Sequence, residues 1–143
     1  MKKLFTLFSL MSLIFLTTGC EKPPVTIVSA QVIDNKKDRS GNFNRLLEIC
    51  FKEPLSREYY HEVTILTHQG YKVQGSNTLP PLDSKCQLRN IYSYINASSP
   101  VGARDMIQTH VVPGNINQLL IKVFANKPEG KELPMAEALF KDL

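Results

Sequence analysis

Between residues 25 and 143 the apolar side chains fall into short runs in which apolar and polar positions mostly alternate, the two-residue period of a strand with one buried face. The pattern predicts strands over 25–33, 46–51, 62–67, 71–74, 87–95, 106–112, 119–124 and 136–140. Gln69-Gly70 predicts a tight hairpin turn between two of them, and Pro113-Gly114 predicts another turn. No stretch from 25 to 131 carries a helical apolar stripe for three turns. About 7–8 short strands punctuated by Gly, Pro and Asn therefore predict an all-β domain, an antiparallel β-sandwich of Ig-like or transthyretin-like outline. Two segments are open to a helical reading. Ser56 can cap a single turn over 56–60, and in the tail 134–143 Pro134 suits a first helical turn. Strand is the preferred reading of the tail, because a small sandwich gains an edge from it.

Side-chain parity carries the reading further. Within 46–51, Leu47, Ile49 and Phe51 share one face, and Leu46, Glu48 and Cys50 share the other. The more apolar face is the core, so Cys50 points away from it. The polar segments 35–44 and 76–85 are the longest predicted loops. Tyr92 and Tyr94 fall on one face of the predicted strand 87–95, where they form an exposed aromatic patch or, more commonly for such a pair, cap the core with their hydroxyls at the rim.

Ahead of this domain stand Met1-Lys2-Lys3, a mostly apolar run over 4–16, and Thr17-Thr18-Gly19-Cys20. The run is well short of the roughly 20 residues that a spanning helix requires. A basic start, a short apolar run and small residues make a secretory leader, and Cys20 directly after them makes it a bacterial lipoprotein signal, with Thr17 where Leu is usual. The chain then divides into a signal peptide over 1–19, the lipidated Cys20 with a proline-stiffened tether over 20–24, and one domain over 25–143. The mature protein is expected in the bacterial cell envelope, membrane-anchored by acyl chains (palmitate) on Cys20 and facing the periplasm. Glu21 rather than Asp after the lipidated Cys directs it to the outer membrane. In that oxidising compartment Cys50 and Cys86 are the remaining even pair and predict a disulfide between strand 46–51 and the end of loop 76–85, two buried free thiols being the alternative. Neither has a second Cys or His at ligand spacing, so no metal site is predicted. The formal charge of +4 comes from 17 basic and 13 acidic residues; without Lys2 and Lys3 it is +2, and no dense basic surface for nucleic acid results.

Catalytic signatures are missing: the chain has no G-x-S-x-G, H-E-x-x-H or C-x-x-C. His61, His68 and His110 are scattered, and each is read as an exposed or hydrogen-bonded surface histidine; His61 and His68 flank strand 62–67 at opposite parity. Asp34 with Asp38, and Glu132 with Glu137, have no arrangement that would push their pKa values apart, so they are read as solvated charges. Asn96-Ala97-Ser98 matches a glycosylation acceptor for which a bacterial lipoprotein has no ordinary use. The chain is expected to be a binding protein rather than an enzyme, without cofactor or small-molecule substrate.

Cys20, the opening strand 25–33, Leu47-Glu48-Ile49-Cys50-Phe51, Cys86 and the closing Ala136-Glu137-Ala138-Leu139-Phe140 give a layout spanning the whole mature chain. That layout resembles the small periplasmic lipoproteins assigned as type VI secretion immunity proteins, particularly those paired with lipase effectors. The resemblance implies a stoichiometric inhibitor that binds a secreted phospholipase, blocks its cleft and protects the producing cell from itself and its siblings. Such a protein needs only a stable scaffold with shaped loops. Candidate contact residues in the first loop are Lys36, Lys37, Arg39 and Phe43, charges that steer encounter followed by one apolar anchor. In the second they are Leu79, Pro80, Pro81 and Leu82, a stiff apolar tip that loses little entropy on entering a cleft, or alternatively a core-packing connection. Both loops are expected at one end of the sandwich. Two other functions fit the same outline: a structural lipoprotein of a secretion apparatus, and an inhibitor of another envelope-targeting enzyme such as lysozyme.

Overall fold

The computed structural model describes residues 22–37 and 39–143, without the side chains of Lys36 and Phe43. The expected signal peptide over 1–19, Cys20, Glu21 and Asp38 lie outside the described residues. Seven strands form two antiparallel sheets: β1 (Ile27–Lys37), β2 (Phe43–Phe51), β3 (Tyr59–Thr67), β4 (Lys72–Leu79), β5 (Cys86–Asn90), β6 (Ile116–Phe124) and β7 (Ala136–Lys141). One sheet has the order β1-β2-β5 and the other β4-β3-β6-β7, so the chain makes a hairpin in each sheet before β5 returns to the first. The β-sandwich reading holds, and the tail is a strand. No helical turn forms over 56–60, because Tyr59 already opens β3.

Alternation explains the layers. Leu47, Ile49 and Phe51 of β2 face Val63 and Ile65 of β3 and Leu119, Ile121 and Val123 of β6, and all eight are buried. Burying each such side chain contributes roughly 1.5–3 kcal/mol, which makes this stripe the main source of stability. Cys50 lies on the opposite face of β2, directly across from Cys86 at the start of β5, and the two form a disulfide with Cα atoms 4.0 Å apart. The bridge therefore joins neighbouring strands on the outer face of the three-stranded sheet and does not cross between sheets.

Two predicted strands need correction. The strand expected over 87–95 ends at Asn90, whose side chain accepts a hydrogen bond from the Tyr92 amide and turns the chain into a 3-10 turn, Ile91–Tyr94. The segment expected as strand 106–112 belongs instead to α1 (Ala103–His110), because Ala103, Ile107 and Val111 recur every four residues and all are buried. The 3-10 turn and α1 both pack against β2, and the turn also packs against β4, so this crossover closes one flank of the sandwich. Gly75 of β4 makes the approach possible: a Cβ there would lie 2.6 Å from Tyr94 Cβ and 2.7 Å from its carbonyl oxygen. The buried Arg45 of β2 fastens the far part of the crossover, pairing with Asp34 of β1 and donating from Nη2 to the Gln108 carbonyl of α1 at 3.2 Å.

Candidate functional site

Four segments meet at the end of the sandwich where the described chain begins: 22–26, 52–58, 80–85 and 125–135. Lys52 N–H donates to the Thr26 carbonyl (2.9 Å), Leu82 N–H to Leu55 (3.1 Å) and Phe51 N–H to Lys85 (2.8 Å). Residues 22–24, expected as a stiff spacer, are bound to the domain. The Tyr59 hydroxyl donates to the Pro23 carbonyl at 2.8 Å, and Val25 is buried. Lys22 Nζ donates to the Glu58 carbonyl (2.7 Å), to Asn126 Oδ1 (3.1 Å) and to the Ala125 carbonyl, and sits 5.5 Å from the centre of the Tyr59 ring. All three ammonium protons are thereby engaged by the domain. Among the described residues no helix is long and apolar enough to cross a membrane.

The two predicted contact loops lie at opposite ends, contrary to expectation. β1 runs on to Lys37 and β2 begins at Phe43, which shortens the first loop to residues 38–42 at the end away from Lys22. Lys37 and Arg39 are exposed there. The second loop begins after Leu79, which is fully buried as the last residue of β4 and the register partner of Tyr59. Leu79 therefore belongs to the core and cannot be part of a plug. The exposed tip is Pro80, Pro81 and Leu82, and it lies at the same end as Lys22, its Pro80 carbonyl accepting from Gln87 Nε2 at 2.8 Å.

A groove of about 440 Å³ runs along the outer edge of β4, from Lys72 to Ser76, and is walled on its other side by Ile95, Ser98, Ser99 and the start of α1. β4 is an edge strand. The Thr67 amide donates to the Tyr71 carbonyl at the hairpin turn, so the ladder alternates with odd-numbered β4 residues bonded to β3. The backbone groups of Lys72, Gln74 and Ser76 consequently point into the groove, and among the described residues no main-chain hydrogen bond from the crossover reaches them. Such a row of donors and acceptors is a template for one more strand. This was not legible in the sequence, because it depends on which strand ends up at the edge.

The buried polar groups serve the frame. His61 is wholly buried, a correction to its surface reading: Nδ1 donates to the Asn77 carbonyl and Nε2 accepts from the Tyr94 hydroxyl, each at 2.7 Å. The carbonyl accepts only, which fixes the neutral tautomer. Burial is the main force pushing its pKa down to about 4; the hydrogen bond to Asn77 opposes the shift and the Arg89 charge adds to it. Burial also raises the Tyr94 hydroxyl well above the usual tyrosine range, against the charge and hydrogen bond of Arg89. Tyr92 and Tyr94 do not share a strand face, since both sit on the 3-10 turn: Tyr94 is buried, and Tyr92 lies under the Arg104 guanidinium, 4.9 Å from its ring centre. His68 is exposed, and His110 stacks on Tyr71 with ring centres 4.1 Å apart. Glu48 lies beside Cys50 and Cys86, but both sulfurs are committed to the disulfide and are not thiolate ligands. Thus the described arrangement offers an exposed strand edge along β4. No protein-family model, curated protein or solved structure matches the chain.

Proposed function

We propose that the protein is a periplasmic lipoprotein, anchored through Cys20, that binds and inhibits a type VI secretion phospholipase or lipase effector. The observation that carries the reading is the groove along β4, where the frame turns the main-chain groups of Lys72, Gln74 and Ser76 away from β3 and toward a partner. An extended segment of the effector adds to this edge as a fifth strand of the β4-β3-β6-β7 sheet. Main-chain bonds supply affinity, and the serine-lined wall restricts which segments fit. Lys37 and Arg39, exposed at the end remote from the tether, steer encounter. The disulfide and the closed crossover keep the edge preorganised, so little ordering cost accompanies binding.

The test asks first whether a lipase-like protein is encoded beside the gene, and then mixes that protein with the purified mature chain carrying Cys20→Ser. Stoichiometric loss of phospholipid hydrolysis is expected. Gln74→Pro removes an outward N–H from an edge strand, a position where proline is tolerated; it should keep the thermal midpoint within a few degrees and weaken inhibition at least tenfold. Full inhibition by this variant would rule out strand addition. Deletion of the gene should make cells sensitive to siblings, whereas loss of secretion on deletion would favour a structural component of the apparatus.

A further inference from the structure

We infer that the end of the sandwich bearing Lys22 is a membrane-contact face, held flat against the bilayer surface so that the 38–42 hairpin points away from it. The inference rests on acylation of Cys20 and is independent of which enzyme is inhibited. An anchor at position 20 is joined to Lys22 by two residues of chain, a reach of at most about 7 Å. Lys22 is itself clamped to Glu58, Ala125 and Asn126, and Pro23 to Tyr59, on the underside of the domain. An anchor joined to a flexible linker would let the domain tumble. Here the last fixed point lies on the domain's own base, so acyl chains entering the bilayer bring loops 80–85 and 125–135 to the headgroups.

The surface suits that position. Leu133 is 89 % exposed and Leu82 46 %, one on each of these loops. The four base segments carry six basic residues (Lys22, Lys52, Arg57, Lys85, Lys127, Lys131) and five acidic ones (Glu53, Glu58, Asp83, Glu129, Glu132). That near balance gives little attraction to anionic lipid, so contact depends on the acyl anchor and the two leucines rather than on a basic patch. The nine residues of β2 span about 30 Å, which lifts the 38–42 hairpin well clear of the headgroups.

The test is hydrogen–deuterium exchange on the full mature protein, extracted from membranes with its acyl chains confirmed by intact mass. It is reconstituted in vesicles of phosphatidylethanolamine and phosphatidylglycerol and compared with soluble Cys20→Ser protein. Exchange should slow several-fold at 80–85 and 125–135 and stay unchanged at 39–42. In acylated Lys22→Ala protein, that protection should fall back toward the soluble value. Equal exchange with and without the bilayer at both base loops, protection at the hairpin instead, or protection undiminished in Lys22→Ala would each overturn the inference. Absence of acyl chains would overturn it too, and would leave the inhibition and Gln74→Pro measurements to decide the proposed function by themselves.

Discussion

At the end bearing Lys22, the base, the long connections 52–58, 80–85 and 125–135 carry five prolines, and residues 22–26 bring two more, so seven of the nine prolines gather at this end. At the far end, the long crossover 91–115 apart, the turns are short, and glycine takes the left-handed region at Gly41 (φ 83°), Gly70 (φ 84°) and, where the crossover turns into β6, Gly114 (φ 82°). A glycine turn reverses the chain with bonds made a few residues away, as Gly70 N–H does to the Thr67 carbonyl at 3.0 Å. A proline-rich connection lacks donors and must be fastened from elsewhere in the sequence. Lys22, Tyr59 and Gln87 supply those bonds at the base. The Gly70 turn takes bonds from a distance as well, His68 N–H donating to the Asn115 carbonyl at 3.1 Å and Asn115 Nδ2 to Gln69 Oε1 at 2.7 Å, so the two ends differ in how their chain reversals close, by glycine at one and by proline-rich connections at the other.

The sharpest break in that comparison comes from one loop. Leu79→Asp places an unpaired carboxylate at a fully buried position, and a loss above about 4 kcal/mol is expected, with no folded protein recovered. Leu82→Asp, three residues on and 46 % exposed, should change stability by less than about 0.5 kcal/mol in urea unfolding. Similar effects from the two would mean that the base does not divide into core and surface at Pro80.

Next in size is the disulfide. Cys50→Ala with Cys86→Ala opens a covalent link between residues 36 apart and should cost roughly 3–4 kcal/mol in the chain-entropy account, read as a lower urea midpoint. The register Cys50↔Cys86 survives in the ladder, so the variant should still fold at low temperature.

Acid acts between the two ends, at His61. Its folded pKa is depressed to about 4 from 6.5, so the unfolded chain takes a proton that the folded chain refuses. The stability this neutral histidine permits is therefore complete above about pH 6.5 and is lost as pH falls toward 4, a change of roughly 3 kcal/mol. Urea midpoints measured across that range should fall more steeply for the wild type than for His61→Gln. Parallel slopes would place the acid sensitivity elsewhere.

His61 also shows where the sequence ceased to be readable. Tyr59, His61, Val63, Ile65 and Thr67 alternate inward along β3, but starting the strand at Glu62 left His61 outside it and on the surface. A buried histidine is recognisable only by its partners, and Asn77 and Tyr94 come from distant segments. The helix α1 was missed because two turns carry too few apolar positions to separate a period of four from a short alternating run. Sandwich class, the inward face of β2, the cysteine pair and the turns at Gly70 and Gly114 were legible, since each depends on neighbours in sequence or on simple counting. The relation between the two contact loops was not: whether 38–42 and 80–85 share an end depends on how many strands separate them and on which sheet each strand joins.

The smallest effect tests the far end by itself. Gly70→Ala adds a Cβ with no atom within 4 Å to meet it, so packing is untouched. What remains is the backbone: an L-residue held at φ 84° is strained by roughly 1–2 kcal/mol, partly offset by the smaller conformational entropy of the unfolded alanine chain. A net loss of about 1 kcal/mol is expected, seen as a modest drop in the urea midpoint with an unchanged slope. The turn is closed by its own Gly70–Thr67 bond and tied to Asn115, so amide exchange should quicken around residues 67–72 and leave 80–85 as it was. If loosening instead spread to the base, the two ends would be coupled through β4, and the division between a glycine-turned end and a proline-rich one would fail.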